Sequence, residues 1–173
     1  MKRIITIIIV IVTLCTISGC SIISNYYQYF HMELQTLTGY YNESVPAFKK
    51  AASIFEKYPE LDMVTTSKTW LNSPRDDYIV KECNSLIIIT RTKVFSDAEY
   101  EEIAESVSLL FSQRQLSSIK KFKNTLHFTY ISIFQGSNGW IYTLDGTEPD
   151  KEVHFISETE KITDNWYSVI WAN

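Results

Sequence analysis

The amino-acid sequence predicts an α+β domain: a largely antiparallel β-sheet with two or three helices packed on one face. Two observations carry that reading. Apolar residues recur at helical spacing over 45–58 and again after Ser96, whereas after Asn124 the period falls from about 3.6 to about 2. The order is therefore helix, strand pair, helix, then a meander of strands joined by short polar turns, which favours an antiparallel sheet covered by helices. Eleven Tyr, nine Phe and four Trp supply large side chains for its core.

Taken in order, Ser21 to about Tyr41 mixes polar residues with tyrosines and is expected to be a tether leading into a first helix. Val45 to Tyr58 is predicted helical. Ser44 can cap it, Pro46 suits its first turn, Phe48, Ala51, Ala52 and Phe55 share a face, and Pro59 ends it. Residues 60–76 are expected to be irregular or a short strand. Tyr78–Cys83 and Leu86–Thr92 read as strands flanking an Asn84-Ser85 hairpin turn, and Leu86 to Ile89, apolar on both faces, belongs to a central strand. Ser96-Asp97-Ala98-Glu99 fits a capping box that opens a second helix with the stripe Tyr100, Ile103, Val107, Leu110 and Phe111. Glu101, Glu102 and Glu105 fall on its solvated side. Arg114, Lys120, Lys121 and Lys123 are expected at a solvated helix end or in a second short helix. Thr125–Gln135, Trp140–Leu144, Val153–Ser157 and Trp166–Trp171 then read as strands between turn-forming segments.

The amino terminus has a different character. Lys2 and Arg3 precede an apolar run from Ile4 to Leu14, and the small-residue segment after it ends in Ile17-Ser18-Gly19-Cys20. A basic end, an apolar run and a small-residue site describe an export signal. The last four residues resemble the lipobox of bacterial lipoproteins. That resemblance covers the first 20 residues only. It implies diacylglyceryl transfer to the Cys20 thiol, cleavage after Gly19 and acylation of the new amino terminus. Ser21 in place of Asp implies, by the same resemblance, the periplasmic side of an outer membrane where the cell has one. The alternative is an uncleaved membrane helix, because Ile4–Ile23 is uncharged and about 20 residues suffice to span a bilayer. Either way Lys2 and Arg3 stay in the cytoplasm and the domain lies outside it. The expected organisation is a signal at 1–19, a lipidated cysteine with tether or first helix at 20–41, and one α+β domain at 42–173.

Charge and cysteine content narrow the partners. The first 19 residues hold two of the 16 basic residues, which leaves 14 basic against 20 acidic and a net charge of −6. That balance argues against nucleic acid and leaves the lipid on Cys20 as the expected membrane contact. Cys15 falls in the signal and Cys20 carries lipid, so Cys83 stands alone and no internal disulfide is expected.

No motif for catalysis, metal or cofactor binding emerges, and no cofactor is expected. Cys83 could act as a nucleophile only beside a base such as His127 or His154, and a lone cysteine ending an apolar strand reads first as a core residue. His31, His127 and His154 lack metal-ligand spacing, and the last two alternate with apolar neighbours as outer-face strand residues would. The chain has no GxSxG elbow, and Gly136-Ser137-Asn138-Gly139 is too short for a phosphate loop. The remaining candidates are aromatic: Trp140, Tyr142, Trp166, Tyr167 and Trp171. Core roles are expected first, and any left exposed would anchor a binding surface, since Trp and Tyr are enriched at interface hot spots. The leading expectation is a non-enzymatic binding module for an envelope protein or other envelope component. The alternatives are an envelope hydrolase using Cys83 or a histidine, and a carrier of a small apolar ligand in an internal cavity.

Overall fold

A computed structural model describes residues 34–72, 77–130 and 137–172. In chain order the elements are α1 (Leu34–Glu43), α2 (Val45–Lys57), β1 (Leu61–Thr65), α3 (Thr69–Asn72), β2 (Ile79–Cys83), β3 (Leu86–Thr90), α4 (Asp97–Arg114), β4 (Leu116–Phe122), β5 (Thr125–Tyr130), β6 (Asn138–Thr143), β7 (Ile156–Thr163) and β8 (Trp166–Trp171). All eight strands join one antiparallel sheet in the order β2-β3-β1-β4-β5-β6-β8-β7. The predicted α+β class is thus the observed one.

Register decides which residues face the helices. Ile88, Val64, Ile119, Phe128, Trp140 and Ser168 are successive cross-strand partners and form one row on one face. Helices α1, α2 and α4 cover that row. Thr38 of α1 meets Ser168 at 3.3 Å, and the Trp140 indole N–H donates to the Leu37 carbonyl at 3.0 Å. Phe48 of α2 is fully buried, with ring centroids 4.9–5.6 Å from Tyr41, Phe128, Trp140 and Trp166. Helix α4 is held at its start by Ser96 and Glu99, each side chain accepting the other's backbone N–H. That reciprocal box satisfies two donors left free by helix geometry, and the whole predicted apolar stripe of α4 is buried.

The opposite face carries two smaller clusters. Met63, Ile87 and Ile89 pack under Trp70, Tyr78 and Val80 at one end, and Ile141, Ile156, Tyr167 and Val169 pack with Trp171 at the other. The short α3, which supplies Trp70, therefore lies on the far side from its three fellow helices.

Two segments depart from expectation, each for a physical reason, and a third takes one of its two expected forms. The basic stretch after Arg114 is strand β4, not a helix end. Gln115 takes the left-handed conformation (φ 51°) and reverses the chain in one residue, after which Leu116 and Ile119 are buried and Lys120 points outward. Residues 61–65, read as irregular or a short strand, form the fully buried β1, and its Asp62 is tolerated because Arg91 pairs with it at 3.1 Å. The strand expected at 153–157 begins only at Ile156 and runs to Thr163, as an edge strand whose charged residues discourage further pairing. The hairpin at Asn84-Ser85 is as predicted. Both residues have positive φ (50° and 65°), which matches the turn to the twist of its strands.

Candidate functional site

A cleft opens where α2 passes the end of β6 and the β7–β8 turn. Lys49, the adjacent Ala52 and Ser53, and Glu56 follow one another at helical spacing over two turns of α2 and so line one wall. Tyr142, Trp166 and the turn Thr163-Asp164-Asn165 form the other, enclosing about 390 Å³ that opens to solvent. The Tyr142 hydroxyl donates to Glu56 at 2.8 Å, and its ring lies 4.9 Å from Trp166. Burial, then the Glu56 carboxylate, pushes the Tyr142 phenol above its ordinary range, so it remains a donor. An amine, two carboxylates, an amide, hydroxyls and a half-buried aromatic ring suit a polar ligand with a flat apolar side, such as a peptide or a glycan. The lining contains no histidine or cysteine.

The five aromatics singled out from sequence do not share one surface. Trp140, Tyr142 and Trp166 belong to the helix-covered face, and Tyr167 and Trp171 to the other, as strand alternation dictates. Trp140 is fully buried and Trp166 and Tyr167 nearly so. Tyr142 and Trp171 are half-buried. Only Tyr142 and the edge of Trp166 reach the cleft.

Cys83 ends the edge strand β2, half-buried. Burial, then the nearby Glu101 carboxylate, raises its thiol pKa, the wrong direction for a nucleophile. Three strands separate β2 from β5, so His127 stands roughly 19 Å away by strand spacing alone. The fold thus provides Cys83 with neither histidine as a base.

Of the two histidines, His127 holds the expected strand position on the sheet face away from α1, α2 and α4, and His154 departs from it. His154 is on no strand: it lies in the turn before β7, only 5% exposed. His127 is on β5, and its Nε2 is 3.1 Å from His154 Nδ1 and 3.1 Å from Thr125 Oγ1. Sequence separation hides this pair, because only the path of the 144–155 connection brings them together. Burial, then the neighbouring His154, lowers the His127 pKa to about 3. Burial, then Lys123, lowers that of His154. Glu102, on the solvated side of α4 as expected, also bonds Lys57 and the Tyr58 hydroxyl and so ties α2 to α4.

Among the described residues no cluster of three or more metal-ligating side chains occurs, and no helix is long and apolar enough to cross a membrane. Cys20, His31 and the export segment lie outside the described residues. No protein-family model, no curated protein and no solved structure matches the chain.

Proposed function

We propose that this chain is a bacterial envelope lipoprotein, held through lipid on Cys20, whose α+β domain is a non-enzymatic binding module for a protein or another envelope component. The observation that carries the anchoring is Ile17-Ser18-Gly19-Cys20 placed directly after a basic and then apolar segment. Two or three acyl chains, at about 0.8 kcal/mol per buried methylene, hold a protein at a membrane for long periods. Such an anchor fixes position rather than supplying chemistry, which suits a module that captures something at the membrane surface. The cleft between α2 and the β7–β8 turn supports the binding half of the reading, with mixed charge, amide and hydroxyl groups beside an aromatic ring.

The test is a crosslinking pull-down from envelope extracts, with the full chain as bait and a Ser53→Arg variant beside it. Ser53 is exposed on α2, so the longer side chain fills the cleft without disturbing the core. The expected result is a saturable partner that the variant binds at least about tenfold more weakly, a loss of about 1.4 kcal/mol. Equal binding by both forms would remove the cleft from the proposal. Lack of any saturable protein partner would move the reading to a glycan or small-molecule ligand.

A further inference from the structure

We propose that the His127–His154 pair is an acid-sensitive latch, holding the turn before β7 against the second face of the sheet when neutral and releasing it when protonated. The turn is well built up to that point. The Asp150 carboxylate accepts the N–H groups of Glu152 and Val153 (2.9 and 3.1 Å), and His154 N–H and Ile156 N–H close on the carbonyls of Asp150 and Lys151. This geometry sends His154 inward and leaves Phe155 outward, 70% exposed at φ +54°, a conformation that a phenylalanine rarely adopts. Inside, His154 meets the edge of Phe122 (5.4 Å), and Trp171 stacks on His127 (5.5 Å, 28°).

Hydrogen-bond geometry fixes the protons. The Thr125 hydroxyl donates to the Phe122 carbonyl at 2.7 Å, so its oxygen can only accept from His127 Nε2. His127 Nε2 therefore carries hydrogen and is shared between Thr125 and the lone pair of His154 Nδ1. A proton added to His154 Nδ1 would set N–H against N–H at 3.1 Å and break the bridge. A proton added to the other nitrogen of His127 would place a charge in an aromatic pocket. The charged groups set against the pair are Lys120 beside His127, and Lys123 and Asp150 beside His154. The two lysines oppose protonation. Asp150 favours it at His154, but its carboxylate is already committed to the turn.

Closed and open forms then differ in proton affinity. Freed histidines titrate near 6.5, whereas the closed form holds both lower. The latch is fully effective above about pH 6.5 and weakens as pH falls through that value. For one histidine kept neutral in the closed form, moving to pH 5 raises the open-to-closed ratio about thirtyfold. Release would withdraw His154 from His127 and Phe122, and so loosen the support of Trp171, which stacks on His127 and packs on Ile141, Ile156, Tyr167 and Val169.

Hydrogen exchange followed by mass spectrometry tests this on the full chain in detergent, at pH 7.5 and pH 5 and corrected for intrinsic rates. The expected result is at least about thirtyfold faster exchange in peptides spanning 144–157 at pH 5, with α4 unchanged. His154→Gln keeps an acceptor but cannot titrate, so its acid response should lose the His154 share and retain at most that of His127. An unchanged turn, an equal acid response in His154→Gln, or opening of the turn together with α4 would overturn the proposal. Should the variant fail to fold, histidine NMR titration of the unmodified chain decides. Depressed pKa values with acid-linked loss of turn protection support the latch, and ordinary titration near 6.5 with a protected turn overturns it.

Discussion

Gly139→Ala is expected to destabilise the domain by at least about 3 kcal/mol, the range of severe overpacking, although it adds one methyl group. Gly139 pairs with Thr129 on the neighbouring strand, and a Cβ there would lie 2.0 Å from the Phe128 carbonyl oxygen and 3.1 Å from the Tyr130 nitrogen. Both are backbone atoms of the ladder, so neither can swing aside. The strands must part or slip, and Trp140, the next residue, would be drawn from its bond to Leu37 and its contact with Phe48. Gly39 provides the opposite case within the same chain. It sits inside α1, where an added Cβ would meet no atom within 4 Å, so Gly39→Ala should stabilise by about 0.5–1 kcal/mol. Urea unfolding of the two variants followed by tryptophan fluorescence checks both signs. A Gly139→Ala loss under about 1 kcal/mol would mean the sheet has more freedom there than its register implies.

Phe48→Ala is the second large effect, expected at about 3–5 kcal/mol. The ring is fully buried and touches α1 through Tyr41 and three strands through Phe128, Trp140 and Trp166. Those neighbours lie on separate elements, so the hole cannot close without moving a helix against the sheet. A loss of that size removes a large part of the usual stability of a domain, about 5–15 kcal/mol. Phe48→Leu fills most of the space and should cost distinctly less, so the ratio of the two separates cavity formation from loss of ring contacts. Similar small losses for both would show that α2 does not depend on this ring.

Local signals carried much of the fold. Pro46 and the Phe48–Phe55 face of α2, the Ser96–Glu99 box and the Asn84-Ser85 turn each act within a few residues, and each is found where the sequence places it. Strands β4 and β7 were hidden because their charged residues mask the alternation. Lys120 and Lys121 lie on a strand whose burial comes from Leu116 and Ile119, and β7 is an exposed edge. The short, fully buried β1 lacks alternation altogether, since it is covered on both faces. The sites were less legible. The cleft joins α2 to a turn more than 100 residues later, and the histidine pair depends on where the 144–155 connection runs. Tyr142 and Trp166 were picked out as aromatics, but nothing in their spacing reveals that Glu56 and Ser53 stand opposite.

The central claim, a lipid-anchored envelope protein, is most directly tested by metabolic labelling with a radioactive fatty acid, comparing the chain with its Cys20→Ala variant. Label and a shortened mature form are expected for the unmodified chain, and neither for the variant. Label and processing that persist unchanged after loss of Cys20 would contradict the claim.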